Sequence, residues 1–385
     1  MSAASQEKRR RGWRRNAALF AASLLVAWLG AEGLLRLVLE KADVLSPVLA
    51  ADPVLHHRVA SGSAGYDAWG FRNKEVPARA AVVAIGDSQT FGHGLRRRDA
   101  WPARLAELSG RTVYNLSLGG YGPVQYAHLL ATRALALEPE LIAVGLYPGN
   151  DLLGAYHAAY RLDFWRGLRR PPASSPAPSP AAAGGGIELR LFAARFWLSR
   201  HSMVYRLLAR SPLRRPLRAL EARSRDAAAG LERVELMGPA GRTSFQPAFY
   251  RRQLDLEDRR LREGLRITRL LLGRMAARTG EGGARLLVLM IPTKARVYAP
   301  WLRRAGLLDR HPDLSVAVAA EEQVFDDLER HLEELGVPAL DATPALRRAL
   351  EAGERIYDAG PDFHLAAPGQ QVLAEIVARR GFDPP

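Results

Sequence analysis

A hydroxyl, an imidazole, a carboxylate and a carboxamide stand where this sequence leaves an apolar run or approaches a helix. Ser88 follows the run Ala81-Val-Val-Ala-Ile85 and the break Gly86-Asp87. Asn150 stands in Gly149-Asn150-Asp151, after the run Leu141 to Tyr147, and Asp362 and His364 stand two residues apart near the C-terminus. A serine hydroxyl attacks an acyl carbonyl only when a base removes its proton, and a neutral imidazole does this near physiological pH. A serine alone after a strand is most simply the cap of the next helix. The other three groups make acyl transfer the chemistry to test. Of nine histidines, His364 has a carboxylate two residues earlier, and His93 lies five residues past Ser88 as a second candidate base. His128, His157, His311 and His331 have no motif around them.

Bringing groups together from such distant positions requires a scaffold. The run at 81–86 is continuously apolar and those at 111–118, 140–147, 284–291 and 337–341 are short and strand-like, the pattern of parallel strands buried on both faces. Helical spacing appears at 101–108, 124–137, 254–275, 321–335, 344–350 and in a last helix to Ala378. This alternation predicts an α/β fold of three layers, α/β/α, around a central parallel sheet with right-handed crossovers. In open sheets of this kind the ligand crevice lies at the carboxyl ends of the strands, where Ser88 and Asn150 fall.

Four stretches carry a resemblance. Gly86-Asp-Ser-Gln-Thr-Phe-Gly92, Asn115-Leu-Ser-Leu-Gly119-Gly120, Gly149-Asn150-Asp151 and Asp362-Phe-His364-Leu365 together resemble the SGNH/GDSL hydrolase family, whose blocks supply Ser, Gly, Asn and His in that order. The resemblance covers residues 80–162 and 284–380. It implies a flavodoxin-like domain in which Ser88 is the nucleophile, His364 the base and Asp362 the group that orients the imidazole. The family usually has Asp-x-x-His where this chain has Asp-x-His, so Asp358 stays open as the alternative carboxylate. The resemblance further implies an oxyanion hole of the Ser88 N–H, the Gly120 N–H (rather than Gly119) and the Asn150 side-chain amide. Asp87 and Thr90 read as loop and packing residues. Lys294 either reaches the site or is a solvated loop lysine. Ile291-Pro-Thr-Lys294 and the Asp-x-His spacing are also similar to the acetyltransferase branch that acetylates exopolysaccharide.

The implied activity is hydrolysis of an acyl ester, most simply acetyl, on a cell-envelope glycan, lipid or small molecule. Transfer to a sugar hydroxyl and a non-catalytic glycan-binding module are the alternatives. No acidic or histidine cluster has metal-ligand spacing and no glycine-rich phosphate loop is present, so no metal or cofactor is expected. The net charge of +15 raises nucleic acid as a partner, but no recognition motif or aromatic-interleaved basic stripe accompanies it. With no cysteine, disulfides are excluded and the redox compartment stays unreadable.

The N-terminus is a separate matter. Six basic residues between Lys8 and Arg15 precede an apolar stretch from Ala17 to Leu39 broken only by Glu32 and Arg36. As a helix it would reach roughly 34 Å, enough for a bilayer core. The charge bias would hold the N-terminus in the cytoplasm and export the rest; a cleaved signal peptide is the competing reading. Glu32 and Arg36, four apart, can pair on one helix face. The expected organisation is a basic tail and transmembrane anchor over 1–40, a connector over 41–79 punctuated by Pro and Gly, and an SGNH hydrolase domain over 80–385. Residues 165–248 interrupt that domain: a Pro- and Ala-rich loop at 171–186, then apolar positions such as Leu191, Phe192, Phe196, Trp197, Val204 and Leu207 at helical intervals. That helical part reads as a cap over the active site, a surface near the membrane or a mobile insertion.

Overall fold

In the computed structural model, residues 3–170, 195–211 and 232–382 are described. The loop expected at 171–186, with Leu191 and Phe192, lies outside the described residues. The chain divides into two compact units, residues 1–48 with 181–221 and residues 49–180 with 222–385.

The second unit is built on five parallel strands. In chain order they are β3 (Val82–Gly86), β4 (Val113–Ser117), β5 (Leu141–Leu146), β8 (Arg285–Met290) and β9 (Ala339–Asp341), arranged β4-β3-β5-β8-β9 across the sheet. Every residue of β3 and β5 is buried, as their unbroken apolar runs require when helices cover both faces. The arrangement is the doubly wound one of flavodoxin-like folds. The chain steps from β3 to β4 on one side and then returns to β5 on the other. The crevice at the carboxyl ends therefore opens between β3 and β5, the two strands that lead to Ser88 and Asn150.

Three positions near this crevice are limited in size by close packing. Thr90 lies between β3 and β5, so a Cβ on Gly86 or Gly145 would come within 2.1 or 2.3 Å of its Oγ1. The long helix Arg259–Glu281 crosses the helix Pro148–Arg161 at Gly264, where a Cβ would lie 1.9 Å from the Leu152 carbonyl oxygen.

All five expected strands and the helices at 101–109, 343–351 and 367–380 are present, and the helix expected over 321–335 begins earlier, at Pro312, and ends at Glu334. The helix expected over 124–137 widens after Leu129 into a π turn over Leu130–Ala134 and then tightens into a 3-10 turn. The helix expected over 254–275 begins at Arg259, capped by the Asp258 side chain, and runs to Glu281, while a separate helix, Pro247–Leu254, ends at the expected start. Beyond β8, the helix Lys294–Arg304 is capped by Thr293 and contains Pro300.

The connector expected to be irregular contains a hairpin, β1 (Leu49–Asp52) with β2 (His56–Val59). Asp52 closes its turn by accepting from the N–H groups of Val54 and Leu55 at 2.9 and 2.8 Å. The following residues cover the sheet edge at β4. Asn73 donates to the Asn115 carbonyl at 3.0 Å and accepts from the Asn115 N–H at 3.1 Å. One side chain thus imitates a missing neighbour strand on an otherwise open edge. Arg72, buried, donates to the carbonyls of Leu95, Phe91 and Gly92 around the loop after Ser88. A second hairpin, β6 (Val234–Gly238) with β7 (Gly241–Phe245), adds Val234, Leu236 and Phe245 to the core.

The first unit centres on the helix Ala3–Val38. Its stretch Gly12–Val38 has 27 residues, within which an 18-residue window reaches a mean hydropathy of 1.8, with Leu19, Phe20, Leu24, Leu25 and Leu29 exposed. It is long and apolar enough to cross a membrane. Glu32 and Arg36 do pair, at 2.9 Å. The Glu32 carboxylate also accepts from the Ser202 hydroxyl and from the N–H groups of Met203 and Val204, capping the helix Met203–Arg210. Arg206 and Arg210 of that helix donate to the carbonyls of Val44 and Asp43. Residues 195–211, the described part of the helical insertion, thus pack within the unit of the N-terminal helix.

Gly264→Ala tests the helix crossing. Alanine favours helix over glycine by about 1 kcal/mol, but the forced separation should cost about 1–3 kcal/mol and leave the variant less stable. The urea midpoint measures it; a midpoint equal to or above that of the parent would mean the helices do not approach so closely.

Candidate active site

Ser88 opens the four-residue helix Ser88–Phe91, with Asp87 as its N-cap. Asp87 accepts from the Gln89 N–H at 2.8 Å, so the sharp turn out of β3 is held by its own side chain. Ser88 is 8% exposed. Its Oγ lies 2.9 Å from His364 Nε2 and 3.3 Å from Asp87 Oδ2. The hydroxyl has one proton, and the shorter contact is the imidazole's.

His364 Nδ1 lies 2.7 Å from Asp362 Oδ1, which also accepts the His364 N–H at 2.9 Å. The same carboxylate oxygen therefore fixes both backbone and ring, and the two-residue spacing is what permits it. Burial would raise the Asp362 carboxyl, but the bonds from His364 outweigh it and hold the pKa down at about 2. A carboxylate that stays ionised keeps the proton on Nδ1 and leaves Nε2 as the lone-pair nitrogen facing Ser88. Asp358, the alternative carboxylate, meets Lys294 through its backbone carbonyl. His93 packs its ring against the His364 ring, centroids 4.5 Å apart.

Asn150 lies in the first turn of the helix Pro148–Arg161. Its Nδ2 donates to Asp87 Oδ2 at 2.8 Å, the same oxygen that faces Ser88 Oγ. A carboxamide nitrogen has two N–H groups, so this bond fixes the rotamer and leaves a second donor beside the hydroxyl. Asp87 does more than hold loop backbone, because it couples Ser88, Gln89 and Asn150. Burial raises its pKa against those bonds. The next residue, Asp151, bonds Tyr126 Oη and the Tyr147 N–H, both at 2.8 Å, and anchors the turn that carries Asn150. Burial and the Asp87 charge push Asp151 well above the carboxylate range. The Asn115 stretch is tied to the same loop: Asn115 Nδ2 donates to the Thr90 carbonyl at 3.2 Å. Gly119 lies against Ser88, where a Cβ would stand 3.8 Å from that of the serine, and Gly120 follows with φ +81°.

Two further residues hold His364, Gln89 with little signal in the sequence and Lys294 as one of two open readings. Gln89 grips both sides of the histidine, with Nε2 donating to the Phe363 carbonyl and Oε1 accepting from the Leu365 N–H, each at 3.2 Å. Its place directly after Ser88 was the one cue. Lys294 is not a solvated lysine. It is fully buried, and Nζ donates to the carbonyls of Asp358, Gly360 and Asp362 at 3.1, 2.7 and 3.4 Å. Burial pushes it down to about 7, against the pull of the Asp362 and Asp358 charges. Thr293 beside it is bonded through N–H and hydroxyl to the buried Glu321. Among the described residues, no group of three or more His, Cys, Asp or Glu is placed to hold a metal ion.

The parallel sheet in this order, flanked by helices, has an SGNH-like fold, and Ser88, Asn150 and His364 gather at its carboxyl edge. Residues 248–381 match the family model of the SGNH hydrolase-like domain of the acetyltransferase AlgX, a span that holds Lys294, Asp362 and His364. No curated protein matches the sequence. Among solved structures, a G-D-S-L family protein from Desulfitobacterium hafniense is similar at 13% identity and TM-score 0.38, over 77% of this chain and 97% of that one. A catalytic mutant of the acetylxylan esterase Axe2 from Geobacillus stearothermophilus is similar at 11% identity and TM-score 0.38, over 79% and 94%. TesA is similar at 14% identity and TM-score 0.36, over 78% and 98%.

Lys294→Met is expected to unfasten the histidine loop while leaving the sheet intact. Carbonyls deprived of their donor should lower local stability by about 1–3 kcal/mol. Amide exchange across 357–365 would then run about 10- to 100-fold faster by mass spectrometry. Unchanged exchange there would show that the lysine does not hold the loop.

Proposed function

We propose that this chain is a serine acyl hydrolase that cleaves an acyl ester, most simply acetyl, through an acyl-Ser88 intermediate. The observation that carries the reading is the continuous chain from Ser88 Oγ to His364 Nε2 at 2.9 Å and from His364 Nδ1 to Asp362 at 2.7 Å. His364 takes the hydroxyl proton as Ser88 Oγ bonds to the ester carbonyl carbon. The carbonyl oxygen becomes an oxyanion that receives the N–H groups of Ser88 and Gly120 and the free Asn150 amide hydrogen. As the intermediate collapses, the ester C–O bond breaks and the departing alkoxide takes the proton from His364. Water then enters by the reverse sequence, giving up a proton to His364 and releasing the acid.

A second reading is favoured by one observation, the match to a family described by an acetyltransferase. In it a sugar hydroxyl replaces water in the second half-reaction, and the same residues keep the same roles. The fitting substrate in either case is an acylated glycan, lipid or small acyl compound of the cell envelope. An idle glycan-binding module would not need an ionised carboxylate holding an imidazole against a hydroxyl.

The N-terminal helix supports a membrane tether. With its basic residues on the cytoplasmic side, it would place the catalytic unit in the periplasm or outside the cell.

The full-length chain in detergent should hydrolyse p-nitrophenyl acetate and react with a fluorophosphonate, and Ser88→Ala should lose both. His364→Ala and Asn150→Ala should each lower the acylation rate by about 10²-fold or more. A parental rate in either variant would remove that residue from the mechanism, and an unlabelled parent protein would end the enzyme reading. For the tether, protease added outside intact spheroplasts should digest the catalytic unit; complete protection would overturn the orientation.

A further inference from the structure

The turn that carries Gly119 and Gly120 leaves β4 and reverses within four residues, with Tyr121 N–H donating to the Leu118 carbonyl at 3.2 Å. Of its two central residues Gly120 has a positive φ, +81°, and Gly119 does not. That is the type II pattern. Type I and type II turns differ chiefly in the direction of the central peptide, here the Gly119 carbonyl and the Gly120 N–H. A glycine pair accepts either direction at little steric cost. Something outside the turn must therefore choose.

His57, at the second position of β2, is placed to make that choice. Its Nε2 lies 3.0 Å from the Gly119 carbonyl oxygen. A carbonyl only accepts, so Nε2 carries the hydrogen. Burial lowers the pKa of this imidazole, which favours its neutral form, and in that form Nδ1 is an acceptor, 3.3 Å from His56 Nδ1. Tyr121 holds the ring from the other side: its hydroxyl donates to the His57 carbonyl at 2.9 Å and the ring centroids are 5.3 Å apart. In a trans peptide the C=O and N–H point in opposite directions. With the Gly119 oxygen tied to His57, the Gly120 N–H turns to the opposite face of the peptide.

We propose that His57 is a positioning residue for acyl transfer: its bond to the Gly119 carbonyl holds the Gly119–Gly120 peptide in the orientation that presents the Gly120 N–H to the oxyanion. The inference rests on the acyl-Ser88 reading. It adds to it a residue from the β1–β2 hairpin that acts through the Gly119–Gly120 peptide. The same bond polarises the peptide and strengthens its N–H as a donor.

The test uses the full-length chain in detergent with p-nitrophenyl acetate and a fluorophosphonate, comparing parent, Ser88→Ala, His57→Ala and His57→Gln. His57→Ala should lower kcat by about 10- to 100-fold with KM within about twofold, a smaller loss than the 10²–10³ of deleting a donor outright. His57→Gln, whose amide can donate to the same carbonyl, should recover kcat to within about threefold of the parent. Phosphonylation of Ser88 should slow in parallel, since that adduct also places an oxygen in the hole. Parental kcat in His57→Ala overturns the inference, and so does an equal loss in His57→Ala and a folded His57→Gln, because that would be packing alone. If His57→Ala fails to fold, a folded His57→Gln decides: near-parental kcat supports the inference and a tenfold loss overturns it. A parent protein without Ser88-dependent labelling brings down the acyl-enzyme reading itself, an outcome separate from a labelled parent with an indifferent His57.

Discussion

The site depends on holding an imidazole against a hydroxyl 276 residues away in the chain. Such a contact is entropically expensive to close, and one hydrogen bond of about 1 kcal/mol net cannot maintain it. The structure distributes the closure over several bonds that leave the reacting atoms free. Gln89 fastens the backbone on both sides of His364, and Gln370 fastens Gln89 in turn by donating to its carbonyl at 2.9 Å. Lys294 gathers three carbonyls of the preceding loop from beneath. A buried ammonium is costly unless its donors are satisfied, so its presence there argues that the loop's carbonyls define its position.

A similar economy governs the other side of the crevice. Asp87 is buried beside the Ser88 hydroxyl and accepts from the Gln89 N–H and the Asn150 amide. A charged carboxylate in such a place is stabilised by converging donors, and those donors are thereby oriented. Asn150 gains a fixed rotamer and Gln89 a fixed backbone, from which its side chain reaches the histidine loop. The two halves of the site are thus mechanically joined through residues adjacent to Ser88. Asp151 extends the network to Tyr126 and so to the helix beneath the crevice.

In the other unit, Glu32 illustrates how a charged residue can belong to an otherwise apolar helix. Its carboxylate is consumed by Arg36 and by the N-terminus of the helix Met203–Arg210. Both partners are cationic or partially positive, which offsets the cost of removing a carboxylate from water.

Periodicity and order were legible from the residues themselves. Short apolar runs alternating with helical segments fit strands buried on both faces and leave few topologies, so the parallel sheet and the place of Ser88 and Asn150 at its carboxyl edge followed without coordinates, while His364 was placed there by the family resemblance. The Asp-x-His spacing was legible too, though whether Asp362 or Asp358 faces the ring was not, because two residues apart is close enough only in one loop conformation. Tertiary structure alone decided the rest. Lys294 looks like any loop lysine until the fold closes three carbonyls over it. Gln89 acquires its role from a segment 274 residues away. The hairpin that brings His57 to Gly119 lies in a stretch whose glycines and prolines conceal any regular pattern. Hydrophobic spacing records which face of an element is buried; it does not record which distant backbone group a polar side chain will find there.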